Sequence, residues 1–321
     1  RLEELGILTY ATPDGWRYPL SESAVTVAQA LAAALELAGV EPYLQTQVTD
    51  LGRSEGQLHL VLGDPRQPVA VDRAVVATGG KAYPALGSRG AFFPVLGRLG
   101  HTIAPIFPAL VPIMADIRPV HKLQGVRLDA GLKLYEGERL LGETFGNLLF
   151  TDVGLSGPAA MNLSHAVSTR PGAALTLSID LLHAHRPALL ALIARQRTQA
   201  VPMEVILGAV LPAKVPPVAL ELAGLGLDAR LNVLNEGALA RLLALLGDLR
   251  LRATGTRGFQ HAQLSTGGVP VTEVAPETMA SRIVPGLHLA GEVLDVVGPC
   301  GGYNLQFALT SGALAGQAAA C

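Results

Sequence analysis

Charged and aromatic residues are both scarce in this sequence: Asp, Glu, Lys and Arg make up 16% of the 321 residues, and Phe, Trp and Tyr 4%. Half the residues are hydrophobic, so enough apolar surface can be buried to exclude an intrinsically disordered chain. The few charges nearly cancel, at a net −2, and no block of like sign stands out. A linear basic tail for nucleic acid is therefore absent, and only a patch assembled by the fold stays open. The two cysteines, Cys300 and Cys321, give neither a disulfide framework nor a metal-binding spacing, which fits a reducing, cytoplasmic setting. The eight histidines have no ligand pattern: His183 and His185 lie two apart, which on a helix turns them to different faces. No metal site is expected.

Long membrane-grade runs are missing as well. Residues 296–321 carry no charge, but glycines, Asn304, Gln306 and Gln317 interrupt them, and they read as a packed helix rather than a span. Gly154-Leu155-Ser156-Gly157 matches GxSxG only loosely and lacks a strand-to-helix elbow, so no nucleophile presents itself. No GxGxxG follows a first strand; the pairs Gly79-Gly80 and Gly267-Gly268 lack its spacing.

What is present is concentrated between Ser265 and Gly316. An apolar run, Leu287–Ala290, leads into a turn carrying Gly291, Glu292 and Asp295, and a glycine pair, Gly301-Gly302, opens a helical pattern from Tyr303. Strand, acid-bearing turn and helix N-terminus is how α/β folds present backbone N–H groups to an anionic or electron-rich ligand. Upstream, Val69–Ala77 reads as a β-branched strand ending in Thr78-Gly79-Gly80, either a close approach for a dinucleotide or a plain glycine turn.

Four collinear stretches carry a family resemblance: ATGG at 77–80, STGGV at 265–269, TMASRIVPGL at 278–287 and GEVLDVVGPCGGYNLQFALTSGALAG at 291–316. Together they resemble the BaiN-like (YhiN-like) NAD(P)/FAD-dependent oxidoreductases. The resemblance implies FAD as cofactor, NAD(P)H as electron donor, and a small-molecule substrate or RNA as the acceptor. It implies cofactor contacts at Val48, Ala77, Thr78, Gly79, Gly80, Gly291, Glu292, Asp295, Gly302, Tyr303, Asn304, Leu305 and Gln306. Glu292 is left between a sugar-hydroxyl contact and a turn cap, while Asn304 and Gln306 are expected to add side-chain hydrogen bonds. Arg17, Tyr83, Thr151 and Ser156 are substrate-side candidates; for Arg17 a surface ion pair is the alternative. For Thr151–Pro158 the alternative to a flavin-facing loop is an irregular connection capped by Ser156.

The expected architecture is α/β: a discontinuous FAD/NAD(P)-binding Rossmann-like domain, with an inserted antiparallel β domain that carries a helical subdomain. Boundaries are expected at 1–104, 105–262 and 263–321, with the helices at about 186–250. Residues 13–15 (Pro-Asp-Gly) signal a turn, Ala24–Ala38 a helix capped by Ser21 or Ser23, and Pro42–Leu51 and Gln57–Leu62 strands. A further helix is expected near Ala91–Leu99. From about Ile103, apolar and polar residues alternate, as in roughly six antiparallel strands of about 5–6 residues each. In the resembled family the GxGxxG segment lies before the position of Arg1, so a truncated chain that is poorly soluble or holds FAD weakly is the expectation. Alternatives from other classes are an RNA-modifying, dihydrouridine-forming protein, with a basic surface from Arg127, Arg139, Arg186, Arg195 and Arg197, and a non-catalytic remnant.

Overall fold

A computed structural model describes residues 2–12, 15–63 and 67–321, so Pro13 and Asp14 of the expected turn lie outside the described residues. The chain starts with an antiparallel hairpin, β1 (Thr9–Ala11) with β2 (Arg17–Pro19). Ser23 then caps α1 (Ala24–Leu37): its backbone is extended and its side chain accepts from the Thr26 N–H. Although α1 is largely Ala, Val and Leu, none of its residues is buried.

An antiparallel sheet follows, ordered β3 (Val48–Ser54), β4 (Gln57–Leu62), β5 (Gln67–Val71). Here the structure corrects two expectations. The Pro42–Leu51 strand begins only at Val48, because Gln45 has a φ of 54° and breaks the extended run. The single strand expected over Val69–Ala77 is two: β5 ends at Val71, and β6 (Ala74–Val76) starts in another sheet. Alternation reports burial, not partner, so a chain that changes sheets between Asp72 and Arg73 looks continuous. Next comes α2 (Phe93–Arg98), shorter than expected, with Pro94 in its first turn, and then β7 (Ala104–Ala109).

Six strands then close into a barrel: β8 (Ile113–Ala115), β9 (Arg127–Glu136), β10 (Arg139–Phe150), β11 (Gly154–Ser156), β12 (Leu175–Asp180) and β13 (Leu249–Thr256). Their order is β10-β11-β8-β13-β12-β9, with antiparallel neighbours throughout. Period-two alternation explains the filling: Ala130, Leu132 and Leu134 of β9, Leu148 and Phe150 of β10, and Leu177 and Ile179 of β12 point inward and are fully buried. Helix α3 (Pro158–Ser168) joins that core through Ala160, Leu163 and Val167. Between β12 and β13 lie α4 (Arg186–Gln196), α5 (Met203–Gly208), α6 (Val215–Leu222) and α7 (Glu236–Gly247), whose Leu and Ala stripes extend the same core.

After the barrel, β14 (Leu264–Gly268) pairs antiparallel with β7, β15 (Leu287–Leu289) pairs parallel with β6, and α8 (Tyr303–Ala319) ends the chain. A second core lies here, with Phe92, Phe93 and Leu96 against Val269, Leu287, Leu289 and Val293. Among the described residues, no helix is long and apolar enough to cross a membrane.

A polar cluster around the buried His101 lies beside this second core. The His101 ring bonds Glu273 Oε2 through Nδ1 at 2.7 Å and Ser281 Oγ through Nε2 at 3.0 Å. The Thr102 N–H donates to the same carboxylate at 3.1 Å. His101→Ala strands these groups and is expected to cost about 3 kcal/mol in urea unfolding. Burial pushes the Glu273 carboxyl up, but the Thr102 and His101 hydrogen bonds outweigh it and hold it below its ordinary value. A carboxylate depressed in the folded state stabilises above its unfolded pKa, and that stability is lost as pH falls through the folded value. Stability should therefore drop in acid, and H101A should flatten the drop.

Candidate functional site

Two parallel strands, β6 and β15, send their carboxyl ends into neighbouring turns, and β14 runs close by. After β6 the chain reads Ala77-Thr78-Gly79-Gly80; after β15 it enters a 3₁₀ turn, Gly291–Val293. One carboxylate joins them. Glu292 Oε1 accepts from the Ser265 N–H at 2.8 Å and from the Ser265 hydroxyl at 2.7 Å, and that hydroxyl accepts from the Lys81 N–H at 3.0 Å. A Cβ at Gly80 would run into both Ser265 and Glu292, so only glycine lets this strand end approach. Ser88 completes the loop by donating to the Gly80 carbonyl at 2.9 Å. These bonds tie the turns at Gly79-Gly80 and Gly291–Val293 to strand β14. Burial raises its pKa, and the Ser265 hydrogen bonds offset part of that rise.

Asp295 works one step along. Its Oδ1 accepts from the Gly267 N–H at 2.8 Å, with the Thr266 hydroxyl at 3.5 Å, while the carboxylate itself stays exposed. The Gly291 N–H donates to Ser311 Oγ of α8 at 2.9 Å, and Ser311 in turn donates to the Phe307 carbonyl at 2.7 Å. Helix α8 is thereby seated on the 3₁₀ turn.

The N-terminus of α8 has no side-chain cap and no acid in its first turn. Gly302 sits there at φ 86°, and the space where a Cβ would project is open. The first intrahelical bond runs from Gln306 N–H to the Gly302 carbonyl at 2.9 Å, leaving the N–H groups of Tyr303, Asn304 and Leu305 as the uncommitted first-turn donors. Tyr303 and Leu305 are 59% and 72% exposed beside them. The Asn304 and Gln306 amides also make hydrogen bonds within the chain. Asn304 clamps Gly298, accepting from its N–H at 2.7 Å and donating to its carbonyl at 2.9 Å; Gln306 donates to Thr310 at 2.9 Å. The backbone donors therefore stand beside the exposed side chains of Tyr303 and Leu305.

Two contacts escaped sequence reasoning. The indole of Trp16 lies against Gly301, where a Cβ would come within 3.0 Å of the ring, so the N-terminal hairpin leans on the glycine pair. The Cys300 N–H donates to Asn162 Oδ1 of α3 at 2.8 Å, binding the loop to the barrel, and burial pushes the Cys300 thiol up. Neither residue sits in a motif with its partner, so no local signal marks the pairs.

The other candidates make contacts of their own. Val48 opens β3 opposite Leu62, next to a bulge. Arg17 is exposed and reaches Thr9 Oγ1 at 3.4 Å; no ion pair of it is found among the described residues. Tyr83 stands exposed at φ 50° with its N–H on the Phe259 carbonyl at 3.2 Å. Thr151 braces its own turn, donating to the Gly154 carbonyl and accepting from the Gly154 N–H, both at 3.1 Å. Ser156 belongs to β11, paired with Leu149, and Gly157 rather than Ser156 occupies the N-cap of α3.

The five arginines proposed as an RNA surface do not form one patch either. Arg186 pairs with Asp180 at 3.2 Å, and Arg197 is held by the Leu231 and Leu234 carbonyls and Glu236. Arg127 and Arg139 stand at opposite ends of the β9–β10 hairpin, about 30 Å apart at strand rise.

Comparison with known proteins adds a lineage to this geometry. The family model described as HI0933-like protein Rossmann domain matches residues 2–318. The chain is 33% identical to a 3-dehydro-bile acid delta(4,6)-reductase of Clostridium scindens, covering 98% of this chain and 78% of that protein. It is 32% identical to a ribosomal RNA dihydrouridine synthase of Escherichia coli, covering 90% and 70%. The same-named protein of Haemophilus influenzae is 28% identical, covering 95% and 75%.

Proposed function

The chain belongs to the HI0933-like Rossmann-domain family, and on that premise we propose that it is an FAD-dependent oxidoreductase drawing electrons from NAD(P)H. The carrying observation is the uncapped N-terminus of α8, with its open glycine, beside turns fixed by Glu292, Ser265 and Gly80. These residues fit the group. The first-turn donors suit an electron-rich ring carbonyl, Tyr303 and Leu305 offer apolar flanks, and Asp295 offers an exposed carboxylate to a sugar hydroxyl. The Gly79-Gly80 turn, at the carboxyl end of a parallel strand, suits a pyrophosphate. Bound there, FAD supplies two-electron chemistry between the nicotinamide donor and the acceptor. The protein's own share is to orient the ring, to favour negative charge at the helix end and to keep the turns rigid.

The test is anaerobic reduction of the FAD-reconstituted chain by NADPH or NADH, read as bleaching of visible absorbance. A chain that retains no flavin overturns the reading. Gly302→Ala separates binding from folding: strain at positive φ costs about 1 kcal/mol of stability, while FAD affinity is expected to fall at least about tenfold because the methyl enters the open approach. Equal affinity for parent and G302A would place the cofactor elsewhere.

A second reading, dihydrouridine formation in RNA, is favoured by the names of two relatives. Mass spectrometry of ribosomal RNA incubated with the reconstituted chain and NADPH decides it: two added hydrogens on uridine support it, unchanged RNA argues against it.

A further inference from the structure

The outer wall of the barrel holds a cleft of about 650 Å³, away from the Glu292 junction and lined by β9, β10, β12, β13 and the turn after β12. Its floor is aromatic. Phe145 points outward from β10, 52% exposed, and stacks on His183 with ring centroids 4.3 Å apart and planes at 23°. His183 is fixed in turn: Asp180 Oδ1 accepts from the N–H groups of Leu182 and His183 at 3.1 and 3.0 Å and from Arg186 at 3.2 Å. The residue between Phe145 and Asp180 in register is Gly131, and a Cβ there would already stand 3.1 Å from the His183 ring. The His183 backbone is thus anchored, with its ring over a strand position without a side chain.

One rung along, the wall carries hydrogen-bonding groups of both signs. Glu143, Lys133, Ser178 and Arg250 stand side by side across four strands, and Asp248 bonds Ser178 at 2.6 Å and Arg250 at 2.8 Å. Lys133 lies 3.8 Å from Glu143, too loosely to occupy its ammonium fully. The hydroxyl of Tyr135, also in the cleft, makes no hydrogen bond to any described residue. A plain surface ladder of opposite charges explains the rung but not the stacked, half-exposed phenyl ring or the idle phenol.

We propose that this cleft is a nucleotide subsite: a purine or pyrimidine ring stacks on Phe145, its edge meets the mixed donors and acceptors, and its phosphate lies toward Lys133 and Arg250. The volume falls within the range of small-molecule sites, and stacking on an aromatic side chain tolerates any base. This inference stands apart from the flavin reading, since none of these residues belongs to the Glu292 junction. The nucleotide has two possible sources, a nicotinamide dinucleotide or unpaired RNA.

Titration calorimetry of the full chain, saturated with FAD so that the other site is filled, distinguishes them with AMP, adenosine, UMP, NADP⁺ and a short single-stranded RNA. Saturable binding by at least one probe is expected, with Phe145→Ala weakening it about tenfold or more. Phe145→Leu should fall between, because it keeps apolar area and loses the stack. Lys133→Ala should erase the preference for AMP over adenosine. NADP⁺ binding tighter than AMP and weakened in F145A marks a dinucleotide source, and RNA binding tighter than AMP and weakened in F145A marks a polynucleotide; either supports the subsite. Phe145 is half exposed, so F145A should melt within a few degrees of the parent and remain a fair test. No probe binding at millimolar concentration, or F145A binding like the parent, overturns the proposal.

Discussion

Glu292→Ala is expected to lower stability by about 3 kcal/mol and to weaken FAD binding at least about tenfold. The reason is local. One carboxylate oxygen receives both the N–H and the hydroxyl of Ser265, and that hydroxyl receives the Lys81 N–H. Alanine removes the acceptor and leaves two donors of a buried serine unpaired, each a charge-assisted bond in the parent. Glu292→Gln keeps an oxygen at the same place, and burial already pushes the carboxyl toward its neutral form. E292Q should therefore stay within about 1 kcal/mol of the parent. The sign in pH follows. A carboxyl whose folded pKa is raised costs stability once pH exceeds its unfolded value, and E292Q removes that cost. Urea unfolding at acid and neutral pH, with FAD titration followed by flavin fluorescence, reads all three. Should E292A unfold within about half a kcal/mol of the parent, the junction is not what fixes these turns.

The second large effect belongs to Gly80. Valine there meets Ser265 and Glu292 at once. Neither can rotate aside cheaply, because Ser265 is held from three directions and Glu292 is packed beside buried Gly291 and Val293. Overpacking of this kind, joined to a broken polar cluster, is expected to cost about 3 kcal/mol or more. Gly302→Ala, where the space is open, should be far milder for folding. Thermal unfolding of G80V and G302A side by side checks the contrast: two glycines in similar motifs, one closed in by protein and one facing out. Equal losses would mean that the ATGG strand end does not approach Ser265 closely.

Much of the site was legible in the sequence as separate pieces. The glycine pair, the acids of the 291–295 turn and the start of α8 are local features, and α8 does begin at Tyr303 after an uncapped glycine. Their assembly was not legible. Ser265 meets Lys81 across 184 residues and Glu292 across 27, and nothing in either neighbourhood names the partner. The Asn304 amide is clamped to the loop at Gly298 and Gln306 donates to the Thr310 hydroxyl, partners that the sequence does not name. His101 has no partner near it in sequence, yet it is buried between Glu273 and Ser281.

By itself, the sequence determined what depends on neighbours along the chain: the alternating strands, the helical stripes between β12 and β13, the glycine turns and the family to which they belong. Periodicity is a local property, and burial of one face follows from it. Tertiary structure alone decided which strand lies beside which: that 113–256 close into a barrel, that Val69–Ala77 splits between two sheets, and that Glu292 and Ser265 join two turns to strand β14. Those choices are set by packing and by hydrogen bonds between residues far apart in sequence, where each partner is chosen by geometry that no short stretch contains.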